Sequence, residues 1–182
     1  FFDSYKRHYQ GFVDDLLLSE ALQRVFGITT KPSDPAFPTA CKPVRDWVTR
    51  LLGRIVFLHF LQKKGWMGVP AQSRQWVGGD PRFLQTLFAG CKDPSRFHST
   101  CLAPLFSEAL NRPDRPGDLW PLTGSRVPYL NGGLFEDGDP ACARLDFPAL
   151  LFVALLDFLA AYNFTIDEND PDENEVGIDP EM

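Results

Sequence analysis

The stretch from Val44 to Trp66, VRDWVTRLLGRIVFLHFLQKKGW, constrains the fold more than any other part of the chain. Its apolar residues recur at intervals of three and four, which is the spacing of one helical face, and towards its end they spread around most of the circumference. Cationic residues followed by Gly65 are typical of a helix C-terminus. The sequence therefore predicts a long central helix that is covered on several sides. Its predicted inner face consists of Val44, Trp47, Val48, Leu51, Leu52, Ile55 and Leu58.

Further helices are predicted on both sides of this element. Apolar periodicity predicts helices over residues 1–26, with Gly27 ending the helix, and over 147–162, and two Asp-Pro pairs that favour helix starts predict helices over 80–88 and 93–110. The helix over 93–110 is predicted to turn Phe97, Cys101, Leu102, Leu105 and Phe106 inward, and the helix over 147–162 is predicted to bury Leu150, Leu151, Val153, Ala154, Leu155, Phe158 and Leu159. Residues 29–43 contain four prolines and are expected to form an extended connector. Strand signals are few and short. The expected fold class is mainly α, an irregular multi-helix domain around a central buried helix with long Pro- and Gly-rich loops.

Composition divides the chain into three parts. Residues 1–43 form an N-terminal helix with its Pro-rich connector, residues 44–164 form a helical connector domain, and residues 165–182 form an acidic segment. The net charge is −6, but eight acidic residues and no Lys or Arg lie between Asp167 and Glu181. The other 16 acidic and 18 basic residues leave the body at about +2, so its charge does not exclude contact with nucleic acid.

The cysteines and the apolar runs bear on location. Cysteines at positions 41, 91, 101 and 142 lie far apart without a Cys-x-x-Cys pair, which favours free thiols in a reducing compartment over a disulfide framework. No apolar run is long enough to cross a bilayer, and the first residues do not resemble a signal peptide. We therefore expect a cytoplasmic protein with no membrane partner.

Residue patterns for catalysis are incomplete. A restriction-type nuclease needs an acid-x-Lys pair on a strand to hold a divalent metal, and the chain contains none. Gln62-Lys63-Lys64 imitates a variant of that pair but is better interpreted as a solvated helix end. His8 and His59 lie in predicted helices without an evident nucleophile and are expected to be packing or surface residues. No catalytic residue is predicted.

Metal and phosphate patterns are also incomplete. Cys91, His98 and Cys101 have a spacing that is uncommon for zinc and lack an evident fourth ligand, so buried thiols and a surface histidine are expected. The acidic segment places Asp170, Asp172, Asn174 and Glu181 in a frame like that of a calcium loop, but the required glycine is missing and no helices flank it. Neither common phosphate-binding glycine loop occurs.

The candidates for DNA contact are cations on the polar side of the central helix. Phosphate contact needs only positive side chains on one face of the protein. An ordinary solvated helix face is the competing interpretation. The candidates are Arg45, Arg50, Arg54, Lys63 and Lys64, with Arg74 and Arg82 nearby.

Three stretches together carry a resemblance to a known group of proteins. They are RLLGRIVFLHFLQKKGW (50–66), VPYLNGGLFE (127–136) and YNFTIDENDPDENEVGIDPEM (162–182). Their order and spacing resemble the helical region before the catalytic domain in large bacterial adenine-specific DNA methyltransferases. The most similar group is the fused restriction–modification enzymes of type IIG, in which nuclease, helical connector, methyltransferase and target-recognition parts share one polypeptide.

The resemblance implies a role but no catalytic residue in this chain. The cofactor-binding motif and the Asn-Pro-Pro-Tyr-type motif of such enzymes have no counterpart here. The parent enzyme is expected to use S-adenosylmethionine, and also magnesium if a nuclease is fused to it. Its expected partners are double-stranded DNA and the adjacent methyltransferase and nuclease domains. This chain is expected to space and couple those domains.

The Gly-rich segment within 127–136 is the candidate for contact with a neighbouring domain. Pro128 restricts the residue before it and the glycines permit positive φ angles, so the segment is expected to form a rigid, partly exposed turn. A turn that merely closes this domain is an equally good interpretation. The residues concerned are Tyr129, Asn131, Gly132 and Gly133. Two alternatives remain open for the whole chain, a stand-alone helical module that binds protein partners and a stand-alone DNA-binding module.

Overall fold

The computed structural model describes residues 1–130, 133–136, 139–165 and 177–180, the last range and 163–165 as backbone only. Within these residues the fold is mainly α, as the sequence predicts. The Asn131 and Gly132 candidates and the calcium-like frame of residues 170, 172, 174 and 181 lie outside the described residues. The α-helices are α1 (Phe2–Leu17), α2 (Glu20–Val25), α3 (Phe37–Ala40), α4 (Lys42–Lys63), α5 (Phe83–Ala89) and α6 (Ala149–Ala160).

The predicted central helix is confirmed as α4, the longest helix described. Every predicted inner-face residue is buried except Trp47, which is half-buried. The helix ends in a Schellman motif, because Gly65 N–H donates to the Gln62 carbonyl at 2.9 Å and Trp66 N–H donates to that of Leu61 at 3.1 Å. Gly65 has the positive φ of +73° that this ending requires. Local sequence therefore determines both the extent and the end of α4.

Helices α1 and α6 pack together, and α1 also packs against α4. Phe12 of α1 meets Phe147 and Phe152 edge-on, with ring centroids 5.0 and 5.2 Å apart. One hydrophobic core thus includes residues from both sides of the boundary predicted at residue 43. On α6 the prediction was partly wrong, because Leu150, Val153 and Ala154 face outward. Its apolar residues surround the whole helix, and only the tertiary packing selects Phe152, Leu155, Leu156 and Leu159 as the inner face.

The N-terminal third differs from prediction in two places. The single helix expected over residues 1–26 is interrupted after Leu17, and α2 starts at Glu20. Gly27 ends α2 as expected, with a φ of +70° and a second Schellman pair of hydrogen bonds. The connector at 29–43 is not simply extended. Because proline suits the first turn of a helix, Pro38 and Pro43 lie at the starts of α3 and α4.

The helix predicted over 93–110 is a series of irregular turns. A 3₁₀ turn at Pro94–Arg96 is followed by wide π-helical turns at His98–Leu102 and Leu105–Leu110. Pro104 separates the wide turns, and since proline has no N–H it cannot donate to the carbonyl four residues earlier. The predicted inward residues are nevertheless all buried, and these are Phe97, Cys101, Leu102, Leu105 and Phe106.

Two buried arginines organise the loops after residue 110. Arg115 donates to the carbonyls of Asp118 and Val127, both at 2.5 Å. Arg126 donates to the carbonyl of Ser73 at 2.6 Å and lies over the ring of Trp76, 4.2 Å from its centroid. The small antiparallel hairpin of β1 (Leu119–Trp120) and β2 (Ser125–Arg126) lies between these contacts. Neither arginine was predicted to be buried, because the sequence around each carries no periodic signal.

A second hairpin pairs β3 (Tyr162–Thr165) with β4 (Gly177–Pro180), in the register Tyr162 with Pro180 and Thr165 with Gly177. Strand β4 lies inside the acidic segment of residues 165–182, for which no strand was predicted. Tyr162 attaches the hairpin to the body by edge contacts with Phe1 and Phe158. Among the described residues, no helix combines the length and apolar character needed to cross a membrane.

Candidate functional site

The five predicted DNA-contact cations, four on α4 and Lys64 directly after it, do not share one face. Successive residues of an α-helix are rotated by about 100°, which places Arg45 and Lys63 along one border of the buried face and Arg54 near the other. The guanidinium of Arg45 donates to the nearby Pro38 carbonyl at 2.7 Å. Arg50 and Lys63 are exposed, whereas Arg54 and Lys64 are half-buried. The structure therefore separates the candidates into different surroundings.

Arg54 fastens the Gly-rich segment to the central helix. Its Nε donates to the Leu134 carbonyl at 2.5 Å, and its Nη2 donates to the Glu136 carbonyl at 3.0 Å. The guanidinium also lies over the rings of Phe106 and Phe135, 5.0 and 5.8 Å from their centroids. A planar group with several N–H donors can make both carbonyl contacts while stacking on aromatic rings. Arg54 thus has a structural role that its spacing on α4 did not indicate.

The described residues on either side of Asn131 and Gly132 include both anchored and exposed groups. Leu130 N–H donates to the Leu110 carbonyl at 2.8 Å, and Phe135 is buried in the core. Tyr129 and Leu134 each expose more than a third of their surface, and Gly133 is exposed. Of the four candidates for interdomain contact, Tyr129 and Gly133 are therefore accessible.

A cleft of about 660 Å³ lies between α4 and the residues that follow the Gly-rich segment. Arg50 and Arg54 line it from α4, and Glu136 and Asp139 line it from the opposite side. Trp47 contributes an aromatic wall. Cations and carboxylates are mixed in this lining, so its charge does not select an anion such as a nucleic-acid phosphate.

Gln62 is buried rather than solvated, which corrects the interpretation of Gln62-Lys63-Lys64. Its Oε1 accepts from Leu84 N–H at 2.8 Å, and its Nε2 donates to Gln85 Oε1 at 3.2 Å. The same Nε2 lies 3.0 Å from His59 Nδ1. An amide nitrogen only donates, so Nδ1 accepts and the neutral imidazole carries its proton on Nε2. The two hydrogen bonds of Gln62 with Leu84 and Gln85 fasten α5 to α4.

His59 is completely buried next to the Gln62 amide. Of the two roles expected for it, packing residue and surface residue, it therefore has the first. Burial lowers the pKa of His59 from 6.5 to about 4, and the nearby Lys63 charge contributes in the same direction. Protonation would also turn Nδ1 into a donor facing the donor amide of Gln62. His59 is therefore a neutral packing residue at ordinary pH.

The three residues considered for zinc make contacts with other groups of the protein. His98 was expected at the surface but is buried, and its Nδ1 lies 2.7 Å from the Leu145 carbonyl. Cys91 and Cys101 each lie near Thr100 Oγ1, at 3.6 and 3.7 Å. Burial raises the pKa of the Cys101 thiol to about 11, which opposes the thiolate that zinc requires. Within the described residues, no three potential metal ligands gather in one place.

Comparisons of the chain with protein-family models, with curated proteins and with solved structures found no match.

Proposed function

We propose that this chain is the helical spacer and coupling domain of a bacterial DNA restriction–modification enzyme. The parent would be an adenine-specific DNA methyltransferase of the type IIG kind, with or without a fused endonuclease, acting in the cytoplasm. Catalysis would belong to other parts of that enzyme, which would bind S-adenosylmethionine and, for cleavage, magnesium. Base methylation requires the target adenine to leave the duplex, so the whole assembly must hold double-stranded DNA.

The observation that supports this proposal is the Arg54 clamp. Two of the three stretches on which the resemblance rests, 50–66 and 127–136, are joined by the hydrogen bonds from Arg54 to Leu134 and Glu136. The exposed side chain of Leu134 therefore belongs to a residue whose backbone is hydrogen-bonded to the central helix, and Tyr129 precedes Leu130, whose backbone is bonded to Leu110. A displacement of a neighbouring domain on this turn would be transmitted directly to α4, which is what a coupling element requires.

The first test is the sequence of the native gene on both sides of this segment. The proposal expects a downstream glycine-containing cofactor loop followed by an Asn-Pro-Pro-Tyr-like motif. A reading frame that closes soon after Met182 would contradict it and would favour the stand-alone interaction module, for which the exposed apolar groups at Tyr129 and Leu134 are the supporting observation.

A second test measures coupling in the intact enzyme. Arg54→Met removes the clamp, whereas Arg50→Met one turn earlier removes an exposed cation of the same helix. We expect Arg54→Met to lower the methylation rate at least fivefold more than Arg50→Met does. If a nuclease is fused, the ratio of cleavage to methylation is the second readout, with the same expected difference. If both variants are folded and equally active, the contact of Arg54 with Leu134 and Glu136 does not couple the domains.

A further inference from the structure

Two of the four cysteines are neighbours in the folded chain. The Sγ atoms of Cys91 and Cys101 contact the same atom, the hydroxyl oxygen of Thr100, at 3.6 and 3.7 Å. Burial raises the pKa of the Cys101 thiol most, and a hydrogen bond with the Cys91 thiol raises it further. No described hydrogen bond joins Cys41 or Cys142 to these two thiols. Cys91 and Cys101 are therefore a pair within the fold.

The two cysteines lie on segments that pack against each other. Cys91 directly follows the end of α5, where its N–H donates to the Phe88 carbonyl at 3.1 Å. Cys101 lies in the π-helical turn at His98–Leu102. Phe88 and Phe97 join these segments, since their rings meet edge-on with centroids 4.9 Å apart. Core packing thus keeps the two sulfur atoms near each other.

The two thiols differ in their access to solvent. Cys101 exposes 5% of its surface, whereas Cys91 is half-buried, so Cys91 is the thiol that a dissolved oxidant meets first. An accessible thiol beside a second thiol that can resolve it is the arrangement found in oxidation-sensitive cysteine pairs. The raised pKa of Cys101 leaves little thiolate at pH 7, so the second thiol contributes through its position beside Cys91.

We propose that Cys91 and Cys101 form a reversible disulfide when the protein meets a hydroperoxide. The Cys91 thiolate first attacks a peroxide oxygen and the O–O bond breaks. The leaving hydroxide takes up the proton that the thiol has lost, which gives a sulfenic acid and one water. The Cys101 sulfur then attacks the sulfenic sulfur, the S–S bond forms, and hydroxide leaves with the Cys101 proton as a second water. Together the two thiols give two electrons and two protons to one peroxide molecule.

The disulfide is a second state of a chain whose cysteines are otherwise free. All four thiols are free in the structure, as the sequence predicts for a reducing compartment. Oxidation would tie the end of α5 covalently to the π-helical turn, and a dithiol reductant would release it. This inference goes beyond the proposed function and makes no use of it.

The test treats the reduced 182-residue chain with hydrogen peroxide, denatures it and blocks the remaining thiols with N-ethylmaleimide. Lys92 and Arg96 lie between the two cysteines, so trypsin places them in different peptides. A disulfide then appears in mass spectrometry as a linked peptide pair that dithiothreitol separates. Cys101→Ser removes the resolving thiol. The matched control, Cys41→Ser/Cys142→Ser, keeps the pair, and circular dichroism establishes that each variant is folded.

We expect the linked pair to form at least tenfold faster than Cys41 or Cys142 is oxidised, and to form within twofold of that rate in the control variant. In Cys101→Ser, oxidation of Cys91 should stop at the sulfenic acid. Dimedone, which traps sulfenic acids, should therefore label Cys91 at least fivefold more in Cys101→Ser than in the parent chain. The measurement on the parent chain is decisive even if a variant fails to fold.

Three outcomes would overturn the proposal. The first is a parent chain in which Cys91 resists peroxide. The second is oxidation of Cys91 to the sulfinic acid while Cys101 remains free to react with maleimide. The third is preferential linkage of either thiol to Cys41, to Cys142 or to a second chain. Because these measurements involve neither DNA nor methylation, this proposal and the proposed function can fail separately.

Discussion

At the scale of single residues, Arg50 and Arg54 show how tertiary contacts separate similar side chains. They lie one turn apart on α4, and periodicity alone treats them alike. Arg50 is exposed on the wall of the cleft, whereas Arg54 is half-buried and donates to two backbone carbonyls of the Gly-rich segment. The carbonyls belong to residues about 80 positions away in sequence, so no local pattern on α4 could distinguish the two arginines.

Replacement of Arg54 by Met should lower the free energy of unfolding by about 1–3 kcal/mol, because two charged hydrogen bonds and the stacking on Phe106 are lost. Arg54→Lys should recover only part of that loss, since an ammonium group lacks the planar fork. Urea titration followed by circular dichroism measures the change. Arg50→Met serves as the control and should change stability by less than about 0.5 kcal/mol.

Gly79 and Gly53 should respond in opposite ways to alanine. A Cβ at Gly79 would lie 2.3 Å from the Met67 carbonyl oxygen and 2.5 Å from that of Gly65, so the loop between α4 and α5 would have to open. A Cβ at Gly53, inside α4, meets nothing within 4 Å. We expect Gly79→Ala to destabilise the chain by about 2 kcal/mol or more and Gly53→Ala to stabilise it by about 0.5–1 kcal/mol. Thermal unfolding of the two variants checks the signs, and a stabilised Gly79→Ala would refute the described loop packing.

At the scale of secondary-structure elements, α5 depends on a side chain of another helix. The first N–H groups of a helix have no partner within it, and the residue before α5, Arg82, provides no side-chain cap. Gln62 of α4 provides one of the missing acceptors through its bond to Leu84 N–H. The amide therefore serves as a cap from a distance and fixes the position of α5 on α4.

Gln62→Leu should weaken α5 more than it weakens the rest of the fold. A leucine of similar size leaves the buried Leu84 N–H unsatisfied, which costs about 1–3 kcal/mol. Hydrogen exchange should show faster exchange for amides of residues 83–89 while the amides of α1 keep their protection. The exposed Gln10→Leu is the control. Uniform loss of protection across both helices would argue against a local role in capping.

At the scale of the whole molecule, buried imidazoles link stability to pH. Burial lowers the pKa of His59 to about 4, and it also lowers the pKa of His98. Between pH 6.5 and about 4 the unfolded chain therefore binds more protons at these sites than the folded chain does. Stability from these groups is fully present above pH 6.5 and is lost as the pH falls. Asp15, whose pKa is raised by burial, acts in the opposite direction.

His59→Asn should flatten the acid side of the stability profile. Asparagine keeps an acceptor for Gln62 Nε2 but does not titrate. We expect the parent chain to lose about 2 kcal/mol more than the variant when the pH is lowered from 7.5 to 4.5. Urea unfolding at both pH values gives the two differences. Parallel losses in the parent and the variant would show that His59 remains accessible to protons in the folded state.

The sequence by itself determined the mainly α class, the position of α4, its inner face and the ending at Gly65. These features depend on periodicity and on the φ requirement of one glycine, both of which act over a few residues. Only the tertiary structure decided what Arg54, Gln62 and His98 do, because their partners Leu134, Leu84 and Leu145 lie 80, 22 and 47 positions away. It also decided which side of α6 is buried, since all sides of that helix are similarly apolar. Local sequence pattern specifies the helices and their ends. The contacts of each polar side chain depend instead on distant backbone groups that, after packing, still need a hydrogen-bond partner.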